Sequence, residues 1–376
     1  MESTAPARLG SGRRPRPPKL LPEWDADPAR VEEYLVLLLS DSNLPTGGFV
    51  ASSGLESFIQ HGYLSASSSP EQGLVEFVKS SLDNYAHANG PIVARAFAAV
   101  DRYRHSPALS FLARLAAADK PTTDDERDDL RDALDELYDV DRLCDEMILN
   151  AVARRASIAQ GHALLSLYSR ALAPAPDRRN GHEIARLVER VREEVKQDAA
   201  TGAAGQWKGH QSTSFGIVMS AVGLSLDRAL HLFLFLHARS ILSSAVRLNV
   251  IGPYSAHRLL LWDVRDLVER VTAATTRAAR SAPGDDDECK RDDGDDETDF
   301  DDEEYDDDVK MKPTTKKKTT TTTRKEEDWW DDDEKWAFLN ERNSTRGMGS
   351  DPVTTWPLGE IIASRHDQLF TKVFNS

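Results

Sequence analysis

The sequence predicts an all-α fold, a single-domain bundle of about ten helices with a disordered N-terminal tail and an acidic low-complexity insert. Nowhere do β-branched and polar residues alternate long enough to form a strand. Apolar residues recur instead at three- and four-residue spacing between Val31 and Ala279. Pro and Gly interrupt that pattern where helices would start and stop.

The elements follow in order. Pro28 opens a helix through Val31–Leu39, because proline at the first helical position forfeits no bond. Leu55, Phe58 and Ile59 share one face of a short helix that ends at Gly62. Pro70 starts a helix with Leu74, Phe77, Val78, Leu82 and Tyr85 on one face. Gly90-Pro91 is expected to break it and to start another, Ile92 to Tyr103. Pro107 starts Leu109 to Ala118. Asp124 and Asp125 head a long acidic helix, their carboxylates favoured by the positive end of the dipole. Met147 to Leu172 continues as helix, with Ala151, Ala153, Ala156, Ala159 and Gly161 allowing close approach. After a loop from Pro174 to Gly181 comes Glu183 to Lys196, then a Gly-rich loop, Gly202–Gly209. Three strong helices follow: Ser212 to Val222, Ser225 to Val250 and Tyr254 to Ala279. Ser225 with Asp227 is a candidate N-cap region and Gly223 a C-terminal stop. The ending, Leu358 to Phe374, carries enough apolar residues to fold back on the bundle or a partner.

Charge sets the domain boundaries. The net charge is −16, yet residues 285–308, 309–325 and 326–334 carry −15, +7 and −7, leaving about −1 elsewhere. That insert has almost no aliphatic residues and cannot offset chain entropy by burial, so it is expected to be disordered. The expected organisation is a disordered tail (1–27), a helical domain (28–280), a disordered insert (281–350) and a C-terminal segment (351–376). The basic block Lys316-Lys317-Lys318 is too short and too flanked by acid to argue for nucleic acid. The most apolar run, Ala229 to Leu236, falls far short of the roughly 20 residues that cross a bilayer, so no membrane association is expected. With two cysteines, Cys144 and Cys289, no disulfide framework or Cys-rich metal site is available. A reducing, cytoplasmic setting fits.

Enzymatic constellations are scarce. Gly202-Ala203-Ala204-Gly205-Gln206-Trp207-Lys208 lacks P-loop spacing, and His182-Glu183-Ile184-Ala185-Arg186 lacks the second His of a zinc motif. No Ser/His/Asp set is legible from sequence order. Asp124-Asp125-Glu126-Arg127-Asp128 fits D-D-x-x-D, whose carboxylates hold Mg²⁺ and diphosphate in all-α prenyl-diphosphate enzymes. That alternative reading needs a second acidic element, which is missing. His231, His237 and His257 are expected to be core or interface histidines. Arg239, Arg247, Arg258 and Arg365 interrupt apolar surroundings and must be paired internally, with Glu56 or Asp367, or face a partner.

Three blocks go beyond periodicity. The first is Ser40-Asp41-Ser42-Asn43-Leu44-Pro45-Thr46-Gly47-Gly48-Phe49 with Ser52-Ser53-Gly54-Leu55-Glu56. Pro45 fixes its own φ, Gly47 and Gly48 permit a tight turn, and Phe49 follows as a bulky apolar residue. The second runs from Thr213-Ser214-Phe215-Gly216 to Ser244-Ala245-Val246-Arg247-Leu248. The third is Ser364-Arg365-His366-Asp367-Gln368-Leu369-Phe370, closing on Phe374-Asn375-Ser376. Together they resemble the urease accessory protein UreF family over about 30–275 and 352–376.

The resemblance implies a non-enzymatic maturation factor. It implies binding to a UreD/UreH-like accessory protein, a UreG-like GTPase and apo-urease, pairing of two copies, and support for GTP-dependent nickel insertion. Nickel is then handled by the complex, with no cofactor bound to this chain. The site residues it implies are Pro45, Gly47, Gly48, Phe49, Glu56, Arg247, Arg258, Arg365 and His366, all at interfaces and none catalytic. Many relatives carry a His soon after the motif's aromatic residue; Val50-Ala51-Ser52 has none.

Overall fold

The computed structural model describes residues 27–41, 44, 51–66, 69–106, 109, 124–174, 182–201, 207–281 and 351–375. The expected tail, the insert, the turn Pro45–Phe49 and most of the helix after Pro107 lie outside them. Among the described residues every regular element is helical. The α-helices are α1 (Pro28–Leu39), α2 (Leu55–Gln60), α3 (Pro70–Arg104), α4 (Asp124–Met147), α5 (Ala151–Leu167), α6 (His182–Thr201), α7 (Gln211–Val222), α8 (Leu226–Arg247), α9 (Pro253–Trp262), α10 (Arg265–Ser281) and α11 (Pro357–Ser364). The all-α expectation holds.

Local chemistry explains the starts. Asp27 caps α1 by accepting from the Ala29 N–H at 3.2 Å, ahead of Pro28. Ser69 does the same for α3, accepting from the Gln72 N–H at 3.2 Å. Gly223, at φ +90°, ends α7 in the left-handed conformation that glycine adopts without strain. Ser225 is the N-cap of α8 by backbone position, but its hydroxyl donates to Glu32 at 2.6 Å rather than capping the helix.

Three boundaries differ from expectation. Gly90-Pro91 breaks nothing: α3 runs through it for 35 residues. Pro91 has no N–H to offer the carbonyl four residues back. That carbonyl, on His87, accepts instead from the Val353 N–H at 3.2 Å. Gly90 serves packing, since a Cβ there would meet Thr275 Cγ2 on α10 at 2.5 Å. The expected helix from Met147 to Leu172 starts only at Ala151. Asn150 caps α5 by accepting from the Val152 and Ala153 N–H groups at 2.9 and 3.3 Å, and a π turn, Tyr168–Leu172, closes it. The expected helix from Tyr254 to Ala279 is two, α9 and α10. The chain turns at Asp263 so that Leu259 and Val264 both fill the core.

The long helix α3 is the spine, packed on α4, α7, α8 and α10, with α5 and α6 against α7. α7 crosses α3 at Gly216, where a Cβ would lie 2.4 Å from the Val93 carbonyl oxygen. Phe233, Leu82, Leu137, Leu165, Leu187, Ile217 and Met219 are fully buried between these helices. Each such side chain contributes roughly 1.5–3 kcal/mol on leaving water. α8 is 22 residues long and its most apolar 18-residue window has a mean hydropathy of 1.4, so length and composition alone would let it span a bilayer. It exceeds the short apolar run read from the sequence. More than half of its apolar window is buried inside the bundle, and it packs on α3, α9 and α10.

Candidate functional site: a buried carboxylate holding the C-terminal segment

α2 is short, and its sequence explains its geometry. Ser53 and Gly54 take positive φ, 52° and 82°, to turn the chain into the helix. At Gly54 a Cβ would stand 3.0 Å from the Ala363 side chain on α11, so the missing side chain also admits the C-terminal segment. Leu55, Glu56 and Ser57 then point inward and are buried.

A buried carboxylate is costly unless its oxygens find donors. Glu56 finds them on the last residues of the chain. Its carboxylate accepts from the Val373 N–H at 2.6 Å, the Phe374 N–H at 3.1 Å and His366 Nε2 at 3.0 Å. His366 is itself fully buried, and its Nδ1 has no partner. A carboxylate only accepts, so the ring presents its Nε2–H to Glu56. Ser57 Oγ donates to the Ile362 carbonyl at 2.6 Å, and Gln60 Nε2 to the Thr371 carbonyl at 2.8 Å.

Arg247, at the end of α8, lies over the Phe374 ring at 4.2 Å and donates to Ser244 Oγ at 3.3 Å. A guanidinium on an aromatic face gains about 0.5–2 kcal/mol, more as water is excluded. Burial holds its pKa below the usual arginine value. Further along, Arg155 and Asp367 form a two-pronged pair at 2.9 Å each, which lowers the Asp367 pKa. Asn84 accepts the Thr355 and Trp356 N–H groups at 2.8 and 3.0 Å. The Asn150 amide, besides capping α5, donates to the Glu360 carbonyl at 3.3 Å.

The structure therefore brings Glu56, Arg247 and His366 together and leaves the other described site residues apart. Arg258 lies on α9, paired with Glu71 at 2.7 Å and Asp263 at 3.8 Å. Arg365 neighbours His366 but faces solvent. Pro45, Gly47, Gly48 and Phe49 lie outside the described residues. The sequence suggested arginine partners for Glu56 and Asp367. Glu56 takes a histidine and two backbone amides instead, because α2 faces the segment's backbone; Asp367 takes Arg155. Arg239 donates to the Ser40 carbonyl.

A second buried carboxylate had no motif to announce it. Asp141 on α4 accepts three successive N–H groups, from Lys208, Gly209 and His210, at 2.7, 2.8 and 2.9 Å. His210 bridges Asp145 Oδ1 and Ser157 Oγ at 3.0 and 3.1 Å. Its signal was an acid beside Leu137, Val140 and Cys144, all on the buried face of α4. The loop end it anchors packs on Gly161, where a Cβ would overlap the Gly209 carbonyl.

Among the histidines, His237 stacks on Tyr85 at 3.8 Å and pairs with Ser81 Oγ at 3.0 Å. Burial pushes its pKa down to about 3, so it is neutral at physiological pH. Its edge lines two adjoining cavities of about 180 Å³ each. Both also share Tyr85, Gln160 and Gln211, and one is walled by Trp356, Glu360 and Ala363 of the C-terminal segment. Among the described residues, no three His, Cys, Asp or Glu side chains converge to hold a metal. Of the D-D-x-x-D run, Asp128 is exposed and the side chains of Asp124 and Asp125 lie outside the described residues.

Residues 69–262 match the UreF family model. The chain is 31% identical to urease accessory protein 6 of Cryptococcus neoformans var. grubii, over 93% of this chain and 99% of that protein. It is 25% identical to an uncharacterized urease accessory protein UreF-like of Schizosaccharomyces pombe, over 60% of this chain and 76% of that one. Urease accessory protein F of Arabidopsis thaliana is also 25% identical, over 65% and 82% respectively. With half its length matched by the family model and nearly all of it aligned to a relative at this identity, the chain belongs to the UreF family of urease accessory proteins.

Proposed function

We propose that this protein is a non-enzymatic adaptor in urease maturation, working in the cytoplasm. It assembles with a UreD/UreH-like protein and a UreG-like GTPase on apo-urease. There it supports GTP-dependent nickel insertion by positioning the GTPase and regulating its hydrolysis. Nickel is cargo of the assembly, and this chain holds no resident cofactor.

The observation that carries the reading is the clasp at Glu56. Its contacts fix a segment whose outer side is apolar and cationic. Phe370 is wholly exposed, Ile361 and Val373 more than half so, and Arg365 stands among them. Exposed apolar groups on a rigid frame are what a partner surface needs. Two further patches support partner binding. On α9, Tyr254, Leu261 and Trp262 are exposed around Arg258, a face we assign to a second copy of the chain. On α1, Tyr34, Leu37 and Leu38 face outward and offer a surface for the UreD-like partner.

The test is co-purification. The full chain should retain a UreD-like and a UreG-like protein on a column, and should hydrolyse no GTP alone. Failure to bind either partner overturns the reading.

A further inference from the structure

We propose that Ser157 is an acylation site: a nucleophilic serine, activated by His210 and Asp145, that takes a short acyl group from a small activated ester or thioester in the cavity beside it. The site needs none of the partners proposed above.

Asp145 on α4, Ser157 on α5 and His210 before α7 form a relay. His210 Nε2 lies 3.0 Å from Asp145 Oδ1, and His210 Nδ1 lies 3.1 Å from Ser157 Oγ. A carboxylate only accepts, so Nε2 carries the proton and Nδ1 is left to accept from the Ser157 O–H. Asp145 is held in turn by Arg154 at 3.4 Å. The imidazole is fully buried, so water does not compete for Nδ1. A serine hydroxyl on a base that a carboxylate orients is the arrangement that makes serine nucleophilic.

The surroundings suit the charge such a reaction develops. His210 is the N-cap of α7, and its side chain caps no N–H of that helix. The first N–H of α7, on Gln211, donates to Ser157 Oγ at 3.1 Å. The positive end of the α7 dipole therefore favours negative charge on that oxygen. α5 turns Ala153, Ala156, Ser157 and Gln160 to a cavity of about 180 Å³, and the two alanines leave room around the serine. Among the described residues no Lys or Arg lines it, and Glu360 is its one acid, so an uncharged short chain fits. Cys144 lines the same space, but burial raises its thiol pKa and leaves it unreactive.

In the step, Ser157 Oγ bonds to the acyl carbon as its proton passes to His210 Nδ1. The bond from that carbon to the leaving oxygen or sulfur then breaks, and His210 returns the proton to the leaving group. The products are an O-acyl serine, a neutral imidazole and the free alcohol or thiol.

The full chain with p-nitrophenyl acetate tests this. A burst of about one equivalent of nitrophenol per chain is expected, with the acetyl group found on Ser157 by peptide mapping. Exposed lysines also react with this ester, so the map decides where the acetyl sits. Ser157→Ala should slow the burst by about a hundredfold or more. Ser157→Cys, which keeps a nucleophile beside the same base, should recover it. Asp145→Asn should slow it by about a hundredfold while circular dichroism stays helical. Slow release beyond the burst shows water clearing the ester and supports the same site. Absence of acetyl from Ser157 in the folded wild type overturns the proposal, and that result stands even if a variant fails to fold. A burst that survives Ser157→Ala, or an unchanged rate in Asp145→Asn, overturns it as well.

Discussion

Glu56 and His366 stand 310 residues apart in the chain and 3.0 Å apart in the fold, each almost fully buried. Neither is tolerable there alone. The carboxylate needs the ring and the two amides of Val373 and Phe374. The segment that carries them needs an acceptor inside the bundle. The pair turns a peripheral ending into a fixed part of the surface.

Glu56→Gln should loosen that ending. An amide must set a donor group against a donor, so docking should lose about 2–4 kcal/mol. Hydrogen exchange across 351–375 reads this directly: protection should fall there and persist in α3 and α7.

Phe374→Ala removes the ring under Arg247 and a buried apolar group. The expected cost to docking is about 2–4 kcal/mol. Limited proteolysis should then cleave within 351–375 at a protease level that spares the wild type. Phe374→Tyr, which keeps the ring, should restore much of the resistance.

How much of this was legible differs by residue. The motif Ser52-Ser53-Gly54-Leu55-Glu56 named the acceptor, and Arg365-His366 named the donor. Their pairing was not legible, because spacing along a chain carries no distance between helices. Pro91 misled for a related reason. Gly-Pro reads as a break, yet the carbonyl it frees on His87 is taken by Val353, far along the chain. Asp141 was visible as an acid in an apolar stripe, but its partners lie in a Gly-rich loop with no helical period to place them. Fold class was far more legible than contacts, since three- and four-residue periodicity is local and ion pairing is not.

His237 should make stability fall in acid. Its pKa is about 3 in the fold against about 6.5 for an unperturbed histidine, so the unfolded chain takes up a proton that the fold refuses. The contribution is fully present above about pH 6.5 and is lost as pH falls toward 3, at about 1.4 kcal/mol per pH unit. Urea midpoints for wild type and His237→Phe should converge as pH drops. Parallel curves would remove His237 from the account.

Gly161→Ala probes the loop held by Asp141. The added Cβ would overlap the Gly209 carbonyl, so either α5 shifts or the three N–H bonds to Asp141 break. A loss of about 3 kcal/mol or more is expected in thermal unfolding. Alanine at Gly223, an open position at φ +90°, should cost only about 1 kcal/mol.

The most direct measurement is urease activity in a strain that lacks its own UreF-type protein, supplied with either the wild-type chain or Glu56→Ala. The wild type should restore activity. The variant, with its bundle still helical, should restore less than about a tenth as much, consistent with a docking loss above about 1.4 kcal/mol. Full rescue by Glu56→Ala, or no rescue by the wild type, would contradict the account.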